Sequence, residues 1–159
     1  MTKIVVVHGF GLAEQARAAM EEVAQVTVLP DDSEAALLAE LKDADTLLVS
    51  IRPAITRPLI ESASRLRHIA RLGVGVDTID LAAATERGIF VTNVPEVTSD
   101  SVAEFTMTLL LALAKNICRG DRAVKEGRWS ERIDLIWENV ELSGKTHGIV
   151  GLGNIGHRV

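Results

Sequence analysis

The chain has 159 residues, 47% apolar and 25% charged, with a net charge of −5. That balance belongs to a globular chain able to bury a core and excludes a disordered one. With no run of Lys or Arg in an acidic chain, a phosphate-backbone partner is not expected, so nucleic acid is excluded as a ligand.

The opening "MTKIVVVHGFG" lacks the basic start and the apolar h-region of a secretory leader, which implies a cytoplasmic location. The longest apolar stretch, "FTMTLLLALA" over residues 105–114, is far short of the roughly 20 residues a bilayer demands. It is expected as a buried helix, and no membrane partner is expected. Cys118 is the single cysteine. It cannot form an internal disulfide, and it reads as a small apolar filler on a helix.

In chain order, "KIVVV" reads as a strand, residues 11–23 as a helix, "VTVL" as a strand, residues 33–42 as a helix and "TLLVS" as a strand. Thr56 is then expected to cap a helix running to Ser64. "HIARL" follows as a strand, Asp80 caps "LAAATER", Gly88 stops that helix, and "IFV" is a fifth strand. Alternating helices and strands that are apolar throughout imply an α/β fold. The expectation is a doubly wound parallel sheet of flavodoxin-like order 2-1-3-4-5 that ends near residue 95.

Past Pro95 the pattern changes. Ser101-x-x-Glu104 has the form of a capping box, and the apolar run behind it reads as one long helix closing at Gly127. A looped connection carrying Trp129 and Trp137 follows. "THGIVGLG" then reads as the first strand of a second sheet.

Three stretches could carry chemistry. Gly151-x-Gly153-x-x-Gly156, entered from Ile149 and Val150, has the spacing of a dinucleotide fingerprint. In such a motif the first glycine makes the tight turn, the second lets backbone approach a pyrophosphate, and the third allows close packing. In "ARLGVGVDTID", Gly73 and Gly75 allow a turn whose amides point together at one small anion. The same glycines would equally serve a plain strand-to-helix turn. "SIRPAIT" places Arg52 on the same rim, and Thr98 and Ser99 precede a helix N-terminus. Of the four histidines, His8 ends the first strand on this rim, His68 and His147 begin strands, and His157 follows the fingerprint. None has a carboxylate or serine partner nearby in sequence, so no catalytic histidine is assigned. The cysteine and histidine pattern gives no metal site.

Taken in order, "ARLGVGVDTIDLAAATERGIFVTNVPEVTSDSVAEFTMTLLLAL", "GRW" and "LSGKTHGIVGLGNIG" closely resemble the D-isomer-specific 2-hydroxyacid dehydrogenases. The resemblance covers most of the chain from about Leu47 onward. It implies a flavodoxin-like substrate domain over residues 1–98, followed over residues 99–159 by a linker helix and the truncated start of a Rossmann domain. It further implies an NAD-dependent oxidoreductase, with NADP not excluded, that transfers hydride between nicotinamide and C2 of a small 2-hydroxy or 2-keto acid. By resemblance, the backbone amides of Val74 and Gly75 bind the substrate carboxylate, with Gly73 shaping the turn and Arg52 lining the pocket. Thr98 faces the nicotinamide end of the cleft, and Gly151, Gly153, Asn154, Ile155 and Gly156 hold the pyrophosphate. The pattern departs from the family at "SIRPA", which lacks the family's Ser-x-Thr.

The family's catalytic arginine, acid and histidine fall beyond Val159. The chain is therefore expected to be the front portion of a longer dehydrogenase, inactive alone and homodimeric when complete. The competing expectation is a non-enzymatic binding or co-repressor-like interaction module on the same fold. A phospho-receiver or a flavodoxin is disfavoured, because "VVHGFG" offers neither clustered acids nor a phosphate loop after the first strand.

Overall fold

The computed structural model describes residues 1–7 and 11–159, so His8 and the remainder of "HGF" lie outside the described residues. The chain divides into two compact units, Met1–Pro95 and Glu96–Val159.

In the first unit, β1 (Lys3–Val6), β2 (Gln25–Val28), β3 (Thr46–Val49), β4 (His68–Arg71) and β5 (Phe90–Thr92) form one parallel sheet in the order β2-β1-β3-β4-β5. This is the expected 2-1-3-4-5 order. Four helices connect the strands: α1 (Glu14–Glu21), α2 (Glu34–Leu41), α3 (Arg57–Ser62) and α4 (Leu81–Glu86). Parallel strands need such crossovers, and the crossovers cover the sheet, which is why its strands can be apolar throughout. Val5, Leu47, Val49 and Ile69 are fully buried with Leu37 and Leu41 of α2 and Leu59 and Ile60 of α3. Each such side chain contributes about 1.5–3 kcal/mol by leaving water.

The helix ends have local causes. The Ser33 hydroxyl accepts the Ala36 amide at 3.2 Å, and the Asp80 carboxylate accepts the Ala83 amide at 2.8 Å. Gly88, at φ 65°, closes α4 and donates to the Thr85 carbonyl. Thr56 precedes α3 but makes no side-chain cap bond, contrary to expectation. Pro58 in the first turn, which has no N–H to be capped, suits that start instead.

At the amino end of the sheet, the Asp45 carboxylate accepts the Lys3 amide at 2.9 Å and pairs with Arg65. The hydrogen bond from Lys3 is the main reason the Asp45 carboxyl is held below its ordinary value, with burial opposing it and Arg65 assisting.

The second unit departs further from expectation. The single helix predicted up to Gly127 is two, α5 (Ser99–Ala114) and α6 (Ile117–Lys125), whose axes meet at 61°. The break is at Asn116, in the left-handed region at φ 52°, a conformation that Asn tolerates better than most residues. Because α5 begins at Ser99, Ser101 lies within its first turn and cannot cap it. The predicted capping box is not formed. The connection expected as a loop contains a 3-10 turn at Trp129–Glu131 and a helix, α7 (Arg132–Trp137).

"THGIVG" is not a strand. A strand needs a partner backbone to satisfy its amides and carbonyls, and among the described residues this unit has no other strand. The apolar run of α5 is not the buried helix expected, since Phe105, Leu109 and Leu113 are exposed. Cys118 is likewise exposed rather than packed as filler. No single helix is long and apolar enough to cross a membrane among the described residues.

Candidate substrate and cofactor site

Ligands of open parallel sheets bind beyond the carboxyl ends of the strands. On that rim β3, β4 and β5 deliver three adjacent segments. Val49 is in register with Arg71, and the Leu72 amide continues the ladder to the Val49 carbonyl at 2.9 Å, so the turn after β4 starts beside the segment that carries Arg52. Arg52 is exposed there and joined to Pro53 by a cis peptide bond.

The turn from Leu72 to Gly75 has all four of its carbonyls held. Those of Leu72 and Gly75 accept from the Arg71 guanidinium, Nη1 at 2.8 Å and Nε at 2.9 Å. That of Gly73 accepts the Val94 amide at 3.0 Å, and that of Val74 accepts Nδ2 of Asn93 at 2.8 Å. The Val74 and Gly75 amides, by contrast, donate to no group among the described residues. Both residues are exposed.

The loop therefore turns its acceptors toward the protein and leaves two consecutive donors outward, an arrangement that suits an anion and repels a cation. Gly73 is needed for two reasons. Its φ is 146°, and a side chain there would begin 3.2–3.3 Å from the Arg71 guanidinium. The plain-turn reading of this glycine is thus true of its backbone but does not account for the free amides beside it.

Sequence reasoning passed over Arg71 and Asn93. Arg71 is only 7% exposed, although it ends a strand whose neighbours are apolar. A charged residue in an otherwise buried strand was the available signal. Nothing in the sequence links Asn93 to Val74, which is 19 positions away.

In the second unit the glycine fingerprint forms a tight turn. Gly151 is at φ 97°, in the region that favours glycine. A side chain on Gly156 would begin 2.2 Å from the Gly151 carbonyl oxygen, so only glycine fits there. Nothing lies within 4 Å of the corresponding position on Gly153. The first glycine turns and the second is open, as in the fingerprint, but the third packs against the turn's own Gly151 carbonyl, and neither the strand before the motif nor the helix after it is formed. Asn154 and Ile155 form the bend between them. The Asn154 carbonyl accepts Nη1 of Arg158 at 2.6 Å, and the Arg158 guanidinium also pairs with Asp100 in the first turn of α5. Residues 157 and 158 are turn rather than helix, and the stretch is held by bonds from the His157 amide to the Gly153 carbonyl and from the Val159 amide to the Ile155 carbonyl. Thr98 is exposed and immediately precedes α5, its carbonyl accepting the Val102 amide at 2.9 Å.

Of the described histidines, His68 begins β4, at the amino end of that strand, and its ring shares a 2.8 Å hydrogen bond with the hydroxyl of Thr92, the last residue of β5. His147 and His157 are exposed in the second unit.

A parallel five-stranded sheet of order β2-β1-β3-β4-β5 with helical crossovers defines an α/β protein of the flavodoxin-like class. Comparison with known proteins gives the family. The model of the D-isomer specific 2-hydroxyacid dehydrogenase catalytic domain matches residues 4–150, and the chain belongs to that family. It is 45% identical over 159 residues to the D-3-phosphoglycerate dehydrogenase of Methanocaldococcus jannaschii, covering 100% of this chain and 29% of that protein. It is 38% identical over 148 residues to the glyoxylate reductase of Pyrococcus horikoshii, covering 88% of this chain and 44% of that one. Among solved structures, the NAD-dependent formate dehydrogenase of Staphylococcus aureus in complex with NAD superposes with a TM-score of 0.81 at 33% identity, over 99% of this chain and 51% of that chain. The chain thus spans less than half the length of the curated relatives it matches.

Proposed function

We propose that these residues are the substrate-carboxylate and pyrophosphate-binding portion of an NAD-dependent D-2-hydroxyacid dehydrogenase. The observation that carries this reading is the pair of free, outward amides at Val74 and Gly75 above four occupied carbonyls. Two amides presented together fit the two oxygens of a carboxylate, and charge-assisted bonds of that kind are about twice as strong as neutral ones. Holding the acid group at this loop fixes the substrate's C2 relative to the loop. Such orientation is the main service a binding site renders to a transfer reaction. Arg52, on the neighbouring segment, would line the same pocket and favour the anion.

The Gly151–Gly156 turn fits a pyrophosphate, because Gly153 leaves the backbone open and Gly156 closes the turn without a side chain. Asn154 and Ile155 would offer their amides there, and Thr98 would lie toward the nicotinamide. NAD or NADP held by these residues would supply the hydride acceptor or donor for a 2-hydroxy or 2-keto acid. The matching proton must come to or leave the C2 oxygen through a general acid or base, and neither His147 nor His157 is paired with a carboxylate among the described residues. Residues 1–159 by themselves are accordingly proposed to lack turnover, the whole enzyme acting as a homodimer.

The reading is tested by assaying the complete reading frame and residues 1–159 side by side with NADH and glyoxylate or hydroxypyruvate. Saturable NADH oxidation by the former and background rates from the latter are expected. Turnover by residues 1–159 alone would refute the division of labour, and no turnover by the complete protein with these acids or, in the reverse direction, with NAD and 3-phosphoglycerate would refute the dehydrogenase reading. The latter result would leave the non-enzymatic interaction module, which the exposed Leu113 and Trp137 favour.

A further inference from the structure

The Arg71 guanidinium is buried without a counter-charge. No acidic side chain among the described residues forms an ion pair with it, whereas Arg57, Arg65, Arg119, Arg128 and Arg158 each have a carboxylate partner. The nearest acid along the loop is Asp77. Its Oδ2 is 3.0 Å from where a Gly75 side chain would begin, but the residue is exposed and makes no ion pair with Arg71. A charge withdrawn from water and left unpaired is costly, and proteins keep one chiefly where something compensates it. Here the protein's own compensation is two carbonyl oxygens, those of Leu72 and Gly75.

Those two bonds have a geometric result. A guanidinium is a rigid planar fork, so anchoring the Leu72 and Gly75 carbonyls to it clamps the peptide planes that flank the Val74 and Gly75 amides on either side. Between those clamped planes, the Gly73 and Val74 carbonyls are held by Val94 and Asn93, and the Val74 and Gly75 amides, opposite them in the same peptide planes, are left outward. The charge lies directly beneath, since the guanidinium atoms are 3.2–3.3 Å from the position a Gly73 Cβ would take.

We propose that Arg71 is the positioning residue of the carboxylate loop, clamping the peptide planes on both sides of its two free amides and supplying from below the positive charge that the bound carboxylate neutralises. This rests on the reading of the loop as a carboxylate site. The substrate's own anion is then the missing partner of a buried cation. Arg71 does not touch the substrate: it acts by clamping the turn and through its field.

The test uses residues 1–159 labelled with 15N and titrated with glyoxylate, following the Val74 and Gly75 amide resonances in the wild type and in R71K, R71Q and R71M. Saturable shifts in the wild type are expected. Affinity should fall about tenfold or more in R71Q and R71M and lie between in R71K, which keeps the charge but not the fork. Hydrogen-exchange protection at Val5, Leu47 and Ile69 should be retained throughout, which separates positioning from general destabilisation. If the wild type saturates and R71Q binds within twofold of it, the role of Arg71 is overturned while the carboxylate reading stands. If the wild-type Val74 and Gly75 amides do not respond, both fall. Should the neutral variants fold poorly, the wild-type Arg71 Nε–H resonance decides. Slow exchange with water and a shift on adding glyoxylate uphold the proposal, and exchange as in free arginine with no shift overturns it.

Discussion

Gly73 is where conformation and contact act together, and substitution there can be worked through from the structure. Alanine at this position meets two costs. The backbone at φ 146° is a region L-residues rarely occupy, with strain of about 1–3 kcal/mol. The new Cβ would also lie 3.2–3.3 Å from three atoms of the Arg71 guanidinium, so Arg71 must move by a few tenths of an ångström and weaken charge-assisted bonds worth about 1.5–3 kcal/mol each. A combined loss of about 3 kcal/mol follows. For a unit the size of Met1–Pro95 this lowers the melting temperature by roughly 12–24 °C. Gly88 is the control: its φ is 65°, but nothing lies within 4 Å of a Cβ there. G88A should therefore cost only the left-handed strain, about 1 kcal/mol and roughly 4–8 °C. Thermal unfolding of the two variants followed by circular dichroism gives the comparison directly. If G73A melts at or above G88A, the close approach of Arg71 to the loop is not an energetic contact and the account of the turn is wrong.

Other expectations are more local. Leu47→Ala, in the central strand β3 and fully buried, should destabilise by about 2–5 kcal/mol in denaturant titration, while leaving glyoxylate-induced shifts at Val74 intact under folding conditions. Asn93→Ala removes the 2.8 Å bond to the Val74 carbonyl at an exposed site. It should cost about 1 kcal/mol or less in stability yet weaken glyoxylate binding measured by amide shifts, and equal affinity would show that the Val74 peptide is oriented without it. Asp45 binds its proton less readily folded than unfolded, so its contribution is present above its ordinary value of 3.8 and is lost as pH falls through the lower folded value. Acid unfolding should therefore be less steep in D45N than in the wild type, and identical acid transitions would show that the carboxylate's bond to the Lys3 amide carries no linkage. Sedimentation of residues 1–159 at micromolar concentration should reveal self-association, because Leu109, Leu113, Trp129 and Trp137 leave apolar surface in water. A monodisperse monomer would refute this.

The strands of the first unit and their parallel order were legible from the residues, because an alternating βαβ pattern with apolar strands has few ways to close into a sheet. Asp80 and Gly88 were legible as helix boundaries, since a cap is a contact between near neighbours. The same local reasoning misjudged the second unit. Residues 99–127 show unbroken helical periodicity, yet Asn116 adopts a left-handed conformation and splits the run. "THGIVG" carries the composition of a strand, but strand formation depends on a partner backbone rather than on the segment itself.

The glycines of both candidate sites were visible by spacing alone, because glycine is chosen where a side chain would collide or the backbone must turn, as at Gly73 and Gly156. What the spacing could not contain was the direction in which the amides point. That depends on the Gly73 and Val74 carbonyls being held by Val94 and Asn93, which reach the loop from a strand end about twenty positions further along. Local sequence thus determined where the chain bends. Only the packing of β5 beside β4 decided that the bend presents two unpaired donors over a buried cation, because hydrogen bonds between distant segments exist only once the sheet has brought their ends together.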